Sequence, residues 1–208
     1  MLRIAIASMR RLRVGPGLTC CLGAALMLAA PSFAAAQECD RLQKATASAL
    51  VSFLQDSIAD ESNAECFTFA MYRLGQDRYE PSVPVLVRLL DFRRPATERE
   101  KRGYYIHMQS IYPAVEALEE IGKNALPAVL EVIKSDSSSA TARDNAVSVW
   151  MEIYKYESPK GVALLRQEAE NATDHASKKS LNWAVSKALT WCNPPDEEKC
   201  KAAARVAH

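Results

Sequence analysis

From about residue 40 to residue 191 the chain sets apolar side chains three and four positions apart, segment after segment, without strand-like alternation. That spacing gives each segment one apolar stripe on an α-helix, whereas a half-buried strand needs a period of two. Leu42, Thr46, Ala49, Leu50, Phe53 and Leu54 share a face over roughly 40–58. Ser62 and Glu65 form a capping-box pattern that opens a second helix carrying Phe67, Ala70, Met71 and Leu74, and Pro81 opens a third. Ile111, Ala114, Val115, Leu118 and Ile121 define the next stripe, which Gly122 ends, and 125–133 is its short partner. Ala146, Val149, Trp150 and Ile153 mark another helix. Ser158 as N-cap and Pro159 in the first turn start its partner, and the last helix, 175–191, turns Leu181, Ala184, Val185 and Ala188 inward. Eight helices in short antiparallel pairs are expected.

The chain opens differently. Arg3, Arg10, Arg11 and Arg13 precede an apolar run from Leu18 to Ala30, and small residues at Ala34 and Ala36 follow. A basic start, a short apolar stretch and an Ala-x-Ala site make residues 1–36 a signal peptide. The run is shorter than the roughly 20 residues that span a bilayer, so no membrane span is expected in the mature chain. Export to the periplasm or the exterior follows. Cleavage removes four of the 26 basic residues and none of the 25 acidic ones, leaving a net charge of about −3. A mildly acidic chain lacks the electrostatic footprint of a general nucleic-acid binder.

Four cysteines remain after cleavage: Cys39, Cys66, Cys192 and Cys200. An even number in an exported chain favours disulfides. The short loop with Pro194 and Pro195 favours Cys192–Cys200, which leaves Cys39–Cys66. That second pair meets an obstacle, because one unbroken helix from residue 40 would hold its partners a helix length apart, and a bridge needs Cα atoms within about 7 Å.

The helix pairs also repeat. Ala70–Gly75 (AMYRLG) aligns with Ala117–Gly122 (ALEEIG), and each is followed by an apolar-Pro segment, Val83–Leu90 and Leu126–Ile133. Ile153 and Leu164/Leu165 repeat the apolar parts a third time. These segments, over roughly 64–190, resemble HEAT and HEAT-like repeats. The resemblance implies an all-α fold, a short α-solenoid of antiparallel helix pairs, over 37–192, with 193–208 a C-terminal loop and tail. It implies a binding or scaffold role for a protein or peptide partner. Some HEAT-like proteins are instead lyases that attach bilin pigments, which makes an enzyme or enzyme accessory the alternative.

Nothing in the motifs asks for a catalytic, cofactor or metal site. His107, His175 and His208 are scattered, no glycine-flanked serine or phosphate-binding glycine loop occurs, and Glu119 and Glu120 read as a solvated helix face. Trp150 falls on an apolar stripe; Trp183 lies off one. The irregular element is 92–107, which lengthens one repeat interval by about fifteen residues. It carries Arg93, Arg94, Arg99, Arg102, Tyr104 and Tyr105, the residue types enriched at binding hot spots. These six are the expected contact residues for an acidic partner. The bland alternatives are a solvated loop, or a short helix capped by Thr97 and Glu100 with Tyr105 in the core. The export reading makes one prediction: the exported protein has an intact mass starting at Gln37 or Ala35, and an envelope form starting at Met1 overturns it.

Overall fold

The computed structural model describes residues 39–57, 63–103, 111–193 and 195–205. The expected signal peptide (1–36), Ser62, Tyr104, Tyr105, His107 and Pro194 lie outside the described residues. Within them the chain forms α1 (Ala47–Asp56), α2 (Ala64–Gln76), α3 (Val83–Arg88), α4 (Glu98–Lys101) and α5 (Pro113–Ile121). It continues with α6 (Leu126–Lys134), α7 (Ala140–Ile153), α8 (Ser158–Asn171), α9 (His175–Leu189) and α10 (Glu197–Ala204). Among the described residues there is no strand, and no helix is long and apolar enough to cross a membrane.

The expected first helix, 40–58, is two pieces. A helical turn over 39–42 is separated from α1 by a break at 43–46, where the Thr46 hydroxyl caps α1 by accepting from the Ala49 amide at 3.3 Å. That break removes the obstacle to the second cysteine pair. Cys39 and Cys66 lie at disulfide distance with Cα atoms 5.0 Å apart, and Cys192 and Cys200 do so at 6.4 Å. The second helix begins at Ala64 with Asn63 as its N-cap; the expected Ser62 capping box lies outside the described residues. Glu157, not Ser158, is the N-cap of α8; the Ser158 hydroxyl donates back to the Lys155 carbonyl.

Residues 193–208 are not simply a loop and tail. Glu197–Ala204 forms α10, in which Lys201 pairs with Glu197 and Glu198 and the Cys200 side chain is fully buried. Good helix formers follow Asp196 without interruption, and the link to Cys192 holds them against the end of α9.

Packing runs along the chain. α2 lies against α5 and α5 against α7, while α3 lies against α6. After α6 the succession changes: α6 packs on α7 and α9, and α8 packs chiefly on α9 and α10. The core is continuous through these contacts, with Phe67, Leu74, Leu86, Leu118, Ile133, Met151, Leu165 and Leu181 inaccessible to solvent. Phe67 stands between Phe53 and Phe92, with ring centroids 5.1 and 5.7 Å away. Trp150 is buried as expected, and its indole N–H donates to the Gly161 carbonyl at 3.0 Å. The Asn145 amide donates to the Leu90 carbonyl at 2.6 Å, tying the end of α3 to α7.

Two helices approach closely at Gly75. A Cβ placed there would sit 2.6 Å from the Ala117 Cα, a backbone atom with nowhere to go. Helix propensity alone favours alanine over glycine by about 1 kcal/mol, but overpacking of this kind costs about 1–3 kcal/mol. Gly75→Ala should therefore lower the melting temperature by several degrees. A variant as stable as the parent means that α2 and α5 do not meet so closely.

Candidate functional site

The 92–103 segment is folded, and its order comes from its own charges. Phe92 anchors one end on Phe67, and the Arg94 amide donates to the Ile111 carbonyl at 3.1 Å, closing the insertion at its base. The Arg94 guanidinium grips Glu100 in a forked contact, through Nη1 to Oε2 at 2.9 Å and through Nη2 to Oε1. Thr97 and Glu100 complete a capping box: the Thr97 amide donates to Glu100 Oε2 at 2.6 Å and the Glu100 amide donates to Thr97 Oγ1 at 3.3 Å. The two side chains are nearly covered, at 12% and 10% exposure, so solvent screens this pair poorly. Arg94 first, and then the Thr97 amide, hold the Glu100 carboxyl down to about 2.

Arg94 also hydrogen-bonds the Tyr72 phenol on α2. Burial, and then the Glu116 carboxylate, push that phenol above its usual range. Of the six expected contact residues, then, Arg94 is an internal clamp. Arg93, Arg99 and Arg102 are exposed on the outside of the segment. Tyr104 and Tyr105 lie outside the described residues. The short helix capped by Thr97 and Glu100, weighed as a bland alternative, is α4.

With its base closed and α4 capped, the segment forms a wall. Between it and α2 lies a groove of about 540 Å³, floored by Phe69 and Tyr72 and walled by Arg94, Pro95 and Thr97, with Glu65 among the residues that line it. Tyr72 lines a second hollow too, of about 440 Å³, between α2 and α5, where Glu116 and Glu120 supply the acids.

Glu119 corrects the sequence reading. Glu120 is exposed, but Glu119 Oε1 is shut off from solvent and has no hydrogen-bond partner among the described residues. Burial, reinforced by Glu152 and Glu116 and opposed by Lys155, pushes its carboxyl up to about 8. Adjacent helix positions do not share a face, so one glutamate meets water while its neighbour meets α7. The period alone does not reveal this, because it does not say that α5 is covered on the Glu119 side. The other residue of interest is Trp183, which is 41% exposed, as its place off the apolar stripe suggested. Cys192 and Cys200 stand at disulfide distance across the loop that holds Asp196–Glu198.

Comparison with protein-family models, with curated proteins and with solved structures gives no match to this chain.

Glu119 generates a pH prediction. The unfolded chain releases this proton near the ordinary 4.5, while the native protein holds it until about 8. Between those values the native state binds more protons, so stability is fullest below the lower value and falls as pH rises towards the upper one. The slope is at most about 1.4 kcal/mol per pH unit. Glu119→Gln is neutral throughout and should flatten that fall between pH 5 and 8 in denaturant titrations. Equal slopes in the two proteins would contradict a buried proton at this position.

Proposed function

We propose that this chain is an exported, non-catalytic binding protein built as a short HEAT-like solenoid, and that it holds a protein or peptide partner at the α2 groove. The single observation that carries the reading is the clamped basic wall. A linker between two repeat units needs no forked ion pair, no capping box and no aromatic floor. Ordering these residues costs conformational entropy, which the Arg94–Glu100–Thr97 contacts offset.

The packing order supports the repeat assignment over the first two units, where α2, α5 and α7 succeed one another beside α3 and α6. The glycine of the first repeat, Gly75, is also the point of contact with the second. The two cysteine pairs at disulfide distance suit an oxidising compartment, in line with the arginine-led leader. Periplasmic or extracellular residence is part of the proposal.

The exposed arginines of the 92–103 segment, which lie outside the groove lining, define the partner. An extended segment seated on Phe69 and Tyr72 would present acidic side chains outward to Arg93, Arg99 and Arg102. Its apolar side chains would face the ring floor, where aromatic surface gives rigid contact area. Partner capture from envelope extract tests this with two variants. Replacing Arg93, Arg99 and Arg102 by serine should weaken capture at least tenfold (about 1.4 kcal/mol) and leave the melting temperature unchanged. Arg94→Ser should weaken capture as well, by loosening the wall, and should expose the Thr97–Lys101 amides to hydrogen exchange. Undiminished capture by both variants overturns the site.

A further inference from the structure

We propose a second binding site, in the cavity between the first halves of α7 and α9, for a small ring-bearing organic anion. The cavity is about 480 Å³ and is lined by Arg143 from α7 and by His175, Lys179 and Trp183 from α9, with Asp136 at its margin. Small-ligand pockets run from about 300 to 1,000 Å³, so the space suits one compact molecule. Its elements are separate from those of the α2 groove, and the proposal stands without that reading.

Two observations converge on the ligand's chemistry. The first is the indole. The fold does not require Trp183: the buried stripe of α9 is Leu181, Ala184, Val185 and Ala188, and Trp183 stands beside it, 41% exposed. A large flat apolar surface left facing a cavity is a stacking platform for a ring, whether an arene or the C–H face of a sugar.

The second is the charge. The neighbouring Lys187 is matched by Asp144 at 2.7 Å, a pair that joins α9 to α7. Among the described residues, neither Arg143 nor Lys179 has a carboxylate within ion-pair distance. Two cations against the one acid Asp136 leave the cavity suited to an anion.

The arrangement assigns each group a part. The Arg143 guanidinium lies 6.0 Å from the centroid of the Trp183 ring, a cation–π position. A guanidinium has five N–H donors in a planar fork, and a carboxylate accepts two of them in parallel. Lys179, one turn before Trp183, adds a point charge from the same helix face. A ligand with its ring on the indole and its carboxylate turned to Arg143 and Lys179 would use all three.

Isothermal titration calorimetry of the full mature chain, disulfides intact, tests the site with four probes. These are 2-naphthoate and D-galacturonate, and their uncharged counterparts 2-naphthylmethanol and D-galactose. The expected result is saturable binding of at least one carboxylate, with its neutral counterpart at least tenfold weaker. The carboxylate that responds identifies the ring class. Trp183→Ala, and separately the Arg143→Gln/Lys179→Gln pair, should each reduce that binding at least tenfold with unchanged melting temperature. Trp183→Phe should retain it. The proposal is overturned if neither carboxylate binds below about 10 mM, if charged and neutral probes bind alike, or if the variants bind as the parent does.

Discussion

The approach of α2 to α5 is the contact on which the other placements depend. Gly75 lets the two helices meet at Ala117 with almost no side chain between them. α5 is then enclosed, with α2 on one side and α7 on the other. Enclosure explains why Leu118 is dry, and also why Glu119, three positions before Gly122, finds itself with a buried and unpartnered oxygen. A helix held from both sides has little room for a charge on its flank. The same approach brings Tyr72 and Glu116 together, and so shapes the hollow beside the basic wall.

Charge acts in two ways in this protein. In the 92–103 segment it is structural: Arg94 is consumed in folding the segment, while Arg93, Arg99 and Arg102 are exposed. At Trp183 it is left over, two cations with no assigned counter-charge among the described residues. Between these lies a set of ordinary surface pairs, such as Arg73–Asp77 and Lys101–Glu98, each exposed enough to contribute little. The functional reading rests on the charges that depart from this ordinary pattern.

The helical class was legible because period is a local property, and most stripes named from the sequence are buried. Trp150 was placed in the core by the same rule, which set Trp183 off its stripe without assigning it to the surface. What local pattern could not supply was contact across the chain. The break at 43–46 depends on Thr46 turning its hydroxyl to a backbone amide, and without it Cys39 looked unreachable from Cys66. Arg94 reads like its neighbours Arg93 and Arg99 in one dimension; only the fold brings Glu100 and Tyr72 to it. Glu119 needed knowledge of which helix covers α5. The third unit's departure, with α6 against α9, is likewise a matter of packing that the weak third repeat hinted at only by its irregularity.

The cysteine pairs sit near the two ends of this run of helices, Cys39–Cys66 at the first and Cys192–Cys200 at the last. A protein whose helices touch mainly their neighbours in sequence ordinarily unravels from its ends, where each helix has one neighbour instead of two. Here the terminal helices are stitched to the chain beside them, so the cheapest opening moves inward. In an oxidising compartment that layout withholds frayed ends from proteases.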